Sequence, residues 1–260
     1  DNNDGTVTDR LTGLMWEKTS ASNHFKWNNA ITSRIAALNS SALGGYRDWR
    51  LPNIHELYSL VNFSDRNTAG WLAGQGINSN IAGVHHLSST SGENSVYTSY
   101  FPTNSYLNYF PLGNTYDFCV LAVRGNGKNG FVKLPQTGQT TSSQPGDDGY
   151  YRMGIAWPSP RFIDNGNGTI TDRLTGLIWQ QDGGNLSNKW EDAFKKIAEM
   201  NSTVKTGGYT DWRMPNINEL RSLINYHYDK NQDVWLTNQG FKNLPSTQDT
   251  YYYSSTSIDN

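Results

Sequence analysis

The sequence predicts an α+β protein made of two tandem copies of one domain. Two motifs occur twice along its 260 residues. The matching segments are 1–16 with 164–179 and 44–57 with 207–220. Asp9 recurs as Asp172 and Trp49 as Trp212, so both motifs repeat at an offset of 163 residues. A period of this length indicates repeated whole domains. Each copy places strand-like alternation before helix-like spacing, which is typical of an α+β unit.

We place the two copies at residues 1–125 and 161–260, with a linker at 126–160. The linker is rich in Gly, Pro, Ser, Thr and Gln, a composition typical of a segment that runs along a surface. The apolar residues 118–124 are expected to form the last strand of copy one. Copy two shows no equivalent, so we expect it to lack that strand. The chain begins without methionine, which indicates a mature, trimmed or partial segment.

Each copy opens with a predicted β-hairpin and a further strand, and a helix follows. The Asp-Asn-x-x-Gly sequence is turn chemistry, and Thr-Val-Thr or Thr-Ile-Thr alternates as a strand does. The apolar run Leu-Thr-Gly-Leu-Met/Ile-Trp comes next. From Trp27 to Leu38, and again from Trp190 to Ala198, apolar residues follow helical spacing. In each copy the pattern therefore predicts an amphipathic helix packed on a sheet.

A second helix is predicted after the Trp-Arg-Leu/Met-Pro segment. The spacing of Asn and Glu at its start resembles a capping box, in which the two side chains satisfy backbone N–H groups reciprocally. We also expect Asp9 with Arg50, and their repeats, to form a structural charge or hydrogen-bond network. We interpret the repeated motif as structural, and its members are Asp9, Trp16, Trp49, Arg50, Asn53, Glu56, Asp172, Trp179, Trp212, Arg213, Asn216 and Glu219.

Composition and charge exclude several classes of function. The formal net charge is −2 and there is no long basic run, so neither nucleic acid nor an anionic membrane surface is expected as the main partner. The single cysteine, Cys119, excludes an internal disulfide and a multi-cysteine zinc site. No apolar stretch approaches the ~20 residues of a membrane span, so we expect no membrane insertion within this segment.

The two repeated motifs carry a family resemblance. They read Trp-Arg-Leu/Met-Pro-Asn-x-x-Glu-Leu and Gly-Thr-Val/Ile-Thr-Asp-x-Leu-Thr-Gly-Leu-Met/Ile-Trp. With them the chain resembles the DUF1566 family, also called the Lcl C-terminal domain family, over nearly all of copy one and most of copy two. That family is similar to C-type lectin-like domains and to formylglycine-generating enzymes. The resemblance implies two tandem C-type-lectin-like domains, each with two helices and a twisted antiparallel sheet.

The enzyme and metal sites of these related folds do not carry over to this chain. Formylglycine-generating enzymes use cysteines with copper, whereas Cys119 lies in an apolar segment and is predicted to be a buried core thiol. Sugar-binding C-type lectins hold calcium with Glu-Pro-Asn or Gln-Pro-Asp, but here an apolar Leu51 precedes Pro52 and Asn53. The oxygen-rich turn at 1–5 lacks the downstream Glu of an EF-hand. We therefore predict no enzyme activity, no cofactor and no metal site.

The non-repeating tail of copy one is the predicted ligand site. It is rich in Tyr, Asn and Ser, the residues that paratopes favour, because rings give contact area at low entropic cost. The alternative is a Tyr-rich β-meander that covers its own sheet. The predicted ligand-binding residues are Tyr97, Tyr100, Asn104, Tyr106, Asn108, Tyr109 and Asn114.

The family resemblance and this tail together lead to a prediction of function. Known relatives are mostly exported bacterial proteins, and some are adhesins that bind glycosaminoglycans. We therefore predict a non-enzymatic recognition or adhesion protein, extracellular or at the cell surface, that binds a glycan or protein ligand. The alternative is a structural subunit of an extracellular filament, which would self-associate head to tail by strand addition. A weaker alternative is a copper oxidase that uses Cys119.

Overall fold

The chain forms two compact units, Asp1–Ala156 and Trp157–Ser257, which we call the first and the second unit. They are seen in a computed structural model that describes residues 1–21, 25–65, 67–78, 85–92, 95–100, 107–111, 118–184, 189–228, 231–245 and 252–257. Both units combine short helices with small antiparallel sheets. The predicted α+β class is therefore confirmed.

The first unit holds six strands and five short helices within the described residues. In chain order they are β1 (Thr6–Thr8), β2 (Met15–Glu17), α1 (Trp27–Asn29), α2 (Ala36–Ser41), α3 (Ile54–Ser59), α4 (Thr68–Gly74), β3 (His85–Ser91), β4 (Ser95–Tyr100), β5 (Leu107–Pro111), β6 (Val123–Arg124) and α5 (Asp148–Tyr151). A π-helical stretch, Ala30–Ile35, joins α1 to α2, so the predicted first helix is one continuous element. A 3₁₀ turn, Leu43–Gly45, follows it.

The strands and helices of the second unit are β7 (Phe162–Asp164), β8 (Thr169–Asp172), β9 (Ile178–Gln180), α6 (Trp190–Glu199), α7 (Ile217–Ser222) and α8 (Gln232–Asn238). From β8 onward, the described helices and strands of the second unit follow the order of β1, β2 and the first four helices, with one added strand, β7, before them and no counterpart of β3 to β6. A π-helical stretch, Met200–Val204, and a 3₁₀ turn, Thr206–Gly208, follow α6 as their counterparts follow in the first unit. A further 3₁₀ turn spans Tyr226–Tyr228.

Three antiparallel sheets organise the described strands. The first unit has the orders β1-β2-β6 and β3-β4-β5, and the second has β7-β8-β9. Val7 pairs with Trp16, and Ile170 pairs with Trp179 in the equivalent hairpin. Of the predicted last strand at 118–124, only β6 forms a ladder; the preceding residues are buried and make isolated bridges such as Phe25 with Phe118.

The helix count differs from the predicted two in each copy. Besides α3 and α7, the structure contains α4 and α8. Asn67 caps α4 by accepting a hydrogen bond from the Gly70 backbone N–H at 2.9 Å. Two glycines within the seven residues of α4 lower its intrinsic helix propensity, which is why spacing alone did not indicate it.

The core of the first unit lies between its first helix and the apolar residues before β6. Trp27, Leu38 and Trp49 pack there with Phe118 and Val120. The second unit has a smaller core, formed by Phe162, Ile170, Trp235 and Phe241.

Residues 126–156 fold against the first unit, although 126–160 was predicted to be a linker. Four polar side chains of this segment are buried: Thr137, Gln139, Asp147 and Asp148. Composition misled the prediction because hydroxyls, amides and carboxylates are buried when protein groups replace water as hydrogen-bond partners. We call residues 126–156 the docked segment.

Candidate functional site: the docking face at the start of α3

The start of α3 is organised by one buried carboxylate. Glu56 receives two hydrogen bonds from Arg50, with Nη1 at 2.7 Å and Nη2 at 2.5 Å. The same carboxylate accepts the Asn53 backbone N–H at 2.8 Å, and the Asn53 side chain accepts the Glu56 N–H at 2.9 Å. The capping box is therefore joined to a bidentate ion pair. Arg50 also donates to the Gly125 carbonyl at 2.7 Å, which ties α3 to the end of β6.

The predicted network of Asp9 with Arg50 does not form. Asp9 accepts hydrogen bonds from the Leu11 N–H at 2.8 Å and from the Thr12 hydroxyl at 2.5 Å, so its carboxylate is satisfied within its own turn. Arg50 instead pairs with the carboxylate of Glu56, which lies in the first turn of α3.

The repeat departs from the prediction in the same way. Asp172 pairs with buried Arg161, with N–O distances of 3.0 and 2.8 Å, and not with Arg213. Arg213 pairs with Glu219, and this hydrogen bond lowers the pKa of the Glu219 carboxyl.

The four motif tryptophans occupy structural positions. Trp16 and Trp49 are buried. The Trp49 indole donates to the Leu43 carbonyl at 3.1 Å, and the Trp212 indole donates to the Thr206 carbonyl at 3.2 Å. Trp179 packs against the core of the second unit.

A third repeated motif, Ser-Ser-Thr-Ser, borders the start of the helix in both units. It spans 88–91 and 254–257. The Thr90 hydroxyl accepts the Ile54 backbone N–H at 3.0 Å, and the Thr256 hydroxyl accepts the Ile217 N–H at 3.0 Å. Thr90 and Thr256 are 166 positions apart, so the motif lies outside the 163-residue offset of the other two. The repeated tetrapeptide itself was the signal that could have identified it.

This motif fixes the same geometry in both units through two further contacts. The indoles of Trp27 and Trp190 donate to the carbonyls of Ser88 and Ser254, at 2.9 and 2.8 Å. The next serine in each unit donates its N–H to the proline carbonyl before the helix, at 2.7 and 2.8 Å. The second unit therefore keeps the scaffold around the start of α7.

In the first unit this scaffold binds the docked segment. We define the docking face by Asn53, His55, Thr90 and Ser91. The contacts are Asn53 Nδ2 to the Met153 carbonyl at 3.3 Å, His55 Nδ1 with the Pro135 carbonyl at 3.0 Å, Thr90 Oγ1 to Asp148 Oδ2 at 2.7 Å, and Ser91 N–H to Gln139 Oε1 at 2.8 Å.

Asp148 is the buried acid of this contact. Its Oδ2 also accepts the Thr137 hydroxyl at 2.6 Å. Burial raises its pKa to about 6, and the hydrogen bonds from Thr137 and Thr90 oppose that rise. The negative charge of Glu56 raises the pKa of Asp148 further, and the positive charge of Arg50 lowers it. The docking face therefore accommodates a carboxyl group in a low-dielectric environment.

The equivalent face of the second unit is exposed. Asn216, Asn218 and Ser257 are exposed to solvent, whereas Asn53, His55 and Ser91 are buried. The Arg213 side chain is 59% exposed, compared with 4% for Arg50. Within the described part of the second unit, no segment covers Asn216 and Ser257 as the docked segment covers the first unit's face.

The predicted ligand residues separate into three groups. Tyr97 is 3% exposed, and Ser95 to Ser99 are all buried, so both faces of the central strand β4 are covered. It therefore contributes to the interior and not to a ligand surface, which corrects the prediction. Backbone pairing places Tyr100, Asn108 and Tyr109 in β4 and β5. Asn104, Tyr106 and Asn114 lie outside the described residues.

The described site offers hydrogen-bond donors and acceptors. Cys119 is buried, and burial raises the pKa of its thiol, which disfavours the reactive thiolate. Among the residues that the structure describes, no group of three His, Cys, Asp or Glu side chains is arranged to hold a metal ion. The same residues include no helix long and apolar enough to cross a membrane.

Comparison with known proteins adds one match. The profile of the Lcl C-terminal domain matches residues 5–124 and 168–260. None of the curated proteins and none of the solved structures matches the chain. The two matched ranges contain both copies of the capped helix start.

Proposed function

Because the chain belongs to the Lcl C-terminal domain family, with two copies of that domain, we propose that it is a non-enzymatic recognition protein of the bacterial surface. It is exported and binds a glycan or protein ligand through two C-type-lectin-like domains. The observation that carries the proposal is the docking face, which in the first unit holds a polypeptide segment of the same chain.

The contacts of that face suit recognition of varied ligands. Asn53 and His55 contact backbone carbonyls, which every peptide offers. Thr90 donates to a carboxylate, and the Ser91 N–H donates to a side-chain amide oxygen. In the second unit the equivalent Asn and Ser groups face solvent. Amides and hydroxyls of this kind also pair with sugar hydroxyls, so the same face serves either class of ligand.

The proposal is tested with glycan and protein arrays and with a peptide of residues 134–153 as a defined probe. The full chain is compared with a double variant, Asn218→Ala with Thr256→Val, and with Asn238→Ala, an exposed asparagine at the end of α8. We expect the double variant to lose at least tenfold in affinity and the control to bind as wild type does. Binding of no ligand by any form refutes the proposal.

The same arrays also test the non-repeating Tyr- and Asn-rich tail of copy one. A Tyr106→Ala, Tyr109→Ala variant tests the predicted ligand site directly. If it loses binding while the double variant does not, recognition belongs to the tail, and the docking face is structural.

A second candidate function, assembly by strand addition, is favoured by the strand edges. Among the described strands, β1 pairs only with β2, whereas its counterpart β8 pairs with both β7 and β9. Conversely, β9 pairs only with β8, whereas its counterpart β2 pairs on both sides. Among the described strands, each unit thus leaves unpaired the edge that the other unit pairs, and unpaired edges accept added strands. Sedimentation at increasing concentration tests this candidate, and a single monomeric species throughout excludes it.

A further inference from the structure

Two loops of the first unit meet beyond one end of the β1-β2-β6 sheet. One is the turn at 9–14 between β1 and β2, and the other follows β6. The Val132 N–H donates to the Leu11 carbonyl at 2.9 Å. A Cβ at Gly130 would lie 2.2 Å from the Thr12 carbonyl carbon, so the two backbones touch and only glycine fits there. Close backbone contact holds the loop in one position.

These loops display three large apolar side chains to solvent. Phe131 is 92% exposed, Leu11 is 52% exposed and Val132 is 43% exposed. We call these three residues the apolar tip. Leu134, three residues after Phe131, is buried and anchors the loop in the fold. Phe131 nevertheless lies in solvent. A cluster of exposed apolar side chains surrounded by polar residues is typical of a protein or membrane interaction site.

The charges on these loops are mostly positive, with three cationic side chains and one carboxylate, Asp9. Arg10, Lys128 and Lys133 are exposed, and residues 125–134 contain no acidic side chain. The nearest carboxylate in sequence, Asp9, is engaged with the Leu11 N–H and the Thr12 hydroxyl. The whole-chain charge of −2 therefore does not describe this region, which is locally cationic.

The described residues of the second unit do not show this feature. Its equivalent turn contains Arg173 and Leu174, and Leu174 is half-buried. The Arg173 N–H donates to the Arg161 carbonyl at 2.9 Å, and its guanidinium donates to the Pro160 carbonyl at 3.1 Å. The tip is thus a property of the first unit and not of the repeated scaffold.

We propose that the apolar tip inserts into an anionic lipid surface. Phe131 and Leu11 would enter the boundary between headgroups and acyl chains, while Lys128, Lys133 and Arg10 would contact anionic headgroups. A stable protein interface buries about 800 Å² on each partner, and three side chains at the end of a loop expose much less. A projecting apolar tip surrounded by long cationic side chains matches the layered chemistry of a bilayer surface better.

The test is co-sedimentation of the full chain with vesicles of phosphatidylcholine alone or mixed with phosphatidylglycerol, at low and high salt. Wild type is compared with Phe131→Ser, Leu11→Ser and Phe194→Ser, the last being a half-exposed phenylalanine of the second unit. Because Phe131 is almost fully exposed, its variant should unfold at the temperature of wild type. We expect binding only to the anionic vesicles, weaker at high salt, with a loss of at least tenfold for Phe131→Ser and none for Phe194→Ser.

Three outcomes overturn the proposal. One is absence of binding to anionic vesicles by wild type. Another is binding that Phe131→Ser and Leu11→Ser leave unchanged. The third is concentration-dependent self-association of wild type that Phe131→Ser abolishes, because the tip would then contact a second copy of the chain.

Discussion

Replacing Asp148 with Asn should remove a pH dependence from the docking of residues 126–156. The pKa of Asp148 lies at about 6 in the folded protein, above its ordinary value of 3.8. The docked state therefore holds more protons than the released state between these two values. Its stability falls as pH rises through that window and is greatest below it.

The magnitude follows from the gap between the two pKa values. One pH unit corresponds to about 1.4 kcal/mol, so ionised Asp148 costs docking about 3 kcal/mol at neutral pH relative to pH below 4. Asn keeps a carbonyl oxygen that can accept from the Thr90 and Thr137 hydroxyls but cannot ionise. The free-energy difference between Asp148→Asn and wild type should therefore shift by about 2.4 kcal/mol in favour of the variant from pH 4 to pH 7, because part of the change is already complete at pH 4.

Hydrogen exchange measured on peptides within residues 134–156 provides the assay. Wild type and variant are compared at each pH, so that the intrinsic pH dependence of exchange cancels. Protection of the variant relative to wild type should increase steadily up to about pH 6 and then level off. Parallel profiles for the two proteins across this range would refute the reasoning.

Three further predictions concern stability and reactivity. Glu56→Gln should lower the free energy of unfolding by about 3–5 kcal/mol, because it leaves a buried guanidinium without its charge partner. Glu219→Gln, in the more exposed repeat, should lower it by about 1 kcal/mol or less. Urea unfolding of both variants measures the difference. Gly130→Ala should lower the melting temperature, because its Cβ would overlap the Thr12 backbone; an unchanged melting curve contradicts this. Cys119 should resist thiol reagents in the folded protein and react once urea unfolds it.

Local patterns predicted the features that depend on neighbouring residues. The Asn-x-x-Glu spacing corresponds to a capping box at Asn53 and again at Asn216. Helical spacing located the helix that begins at Trp27. These features follow from backbone geometry over a few residues, and that geometry is the same wherever the segment packs.

Features that depend on distant partners could not be derived in this way. Asp9 is 41 positions from Arg50 and did not become its partner; the carboxylate of Glu56, which the sequence assigned to the capping box, also accepts from Arg50. The segment predicted to be a linker packs on the first unit because His55 and Thr90, far away in sequence, form hydrogen bonds with it. Tyr97 is buried because both faces of β4 are covered, as the burial of every residue from Ser95 to Ser99 shows, and composition does not reveal this.

The changed offset of the Ser-Ser-Thr-Ser motif has a practical consequence. Between the capped helix and this motif, the second unit carries three more residues than the first, since Asn53 recurs as Asn216 but Thr90 as Thr256. The contacts at both ends are nevertheless the same. Because the entropy of closing a loop changes slowly with its length, the domain accommodates this difference of three residues. A short insertion in this stretch, placed outside α4 or α8 and away from the buried residues, should leave both anchoring ends intact.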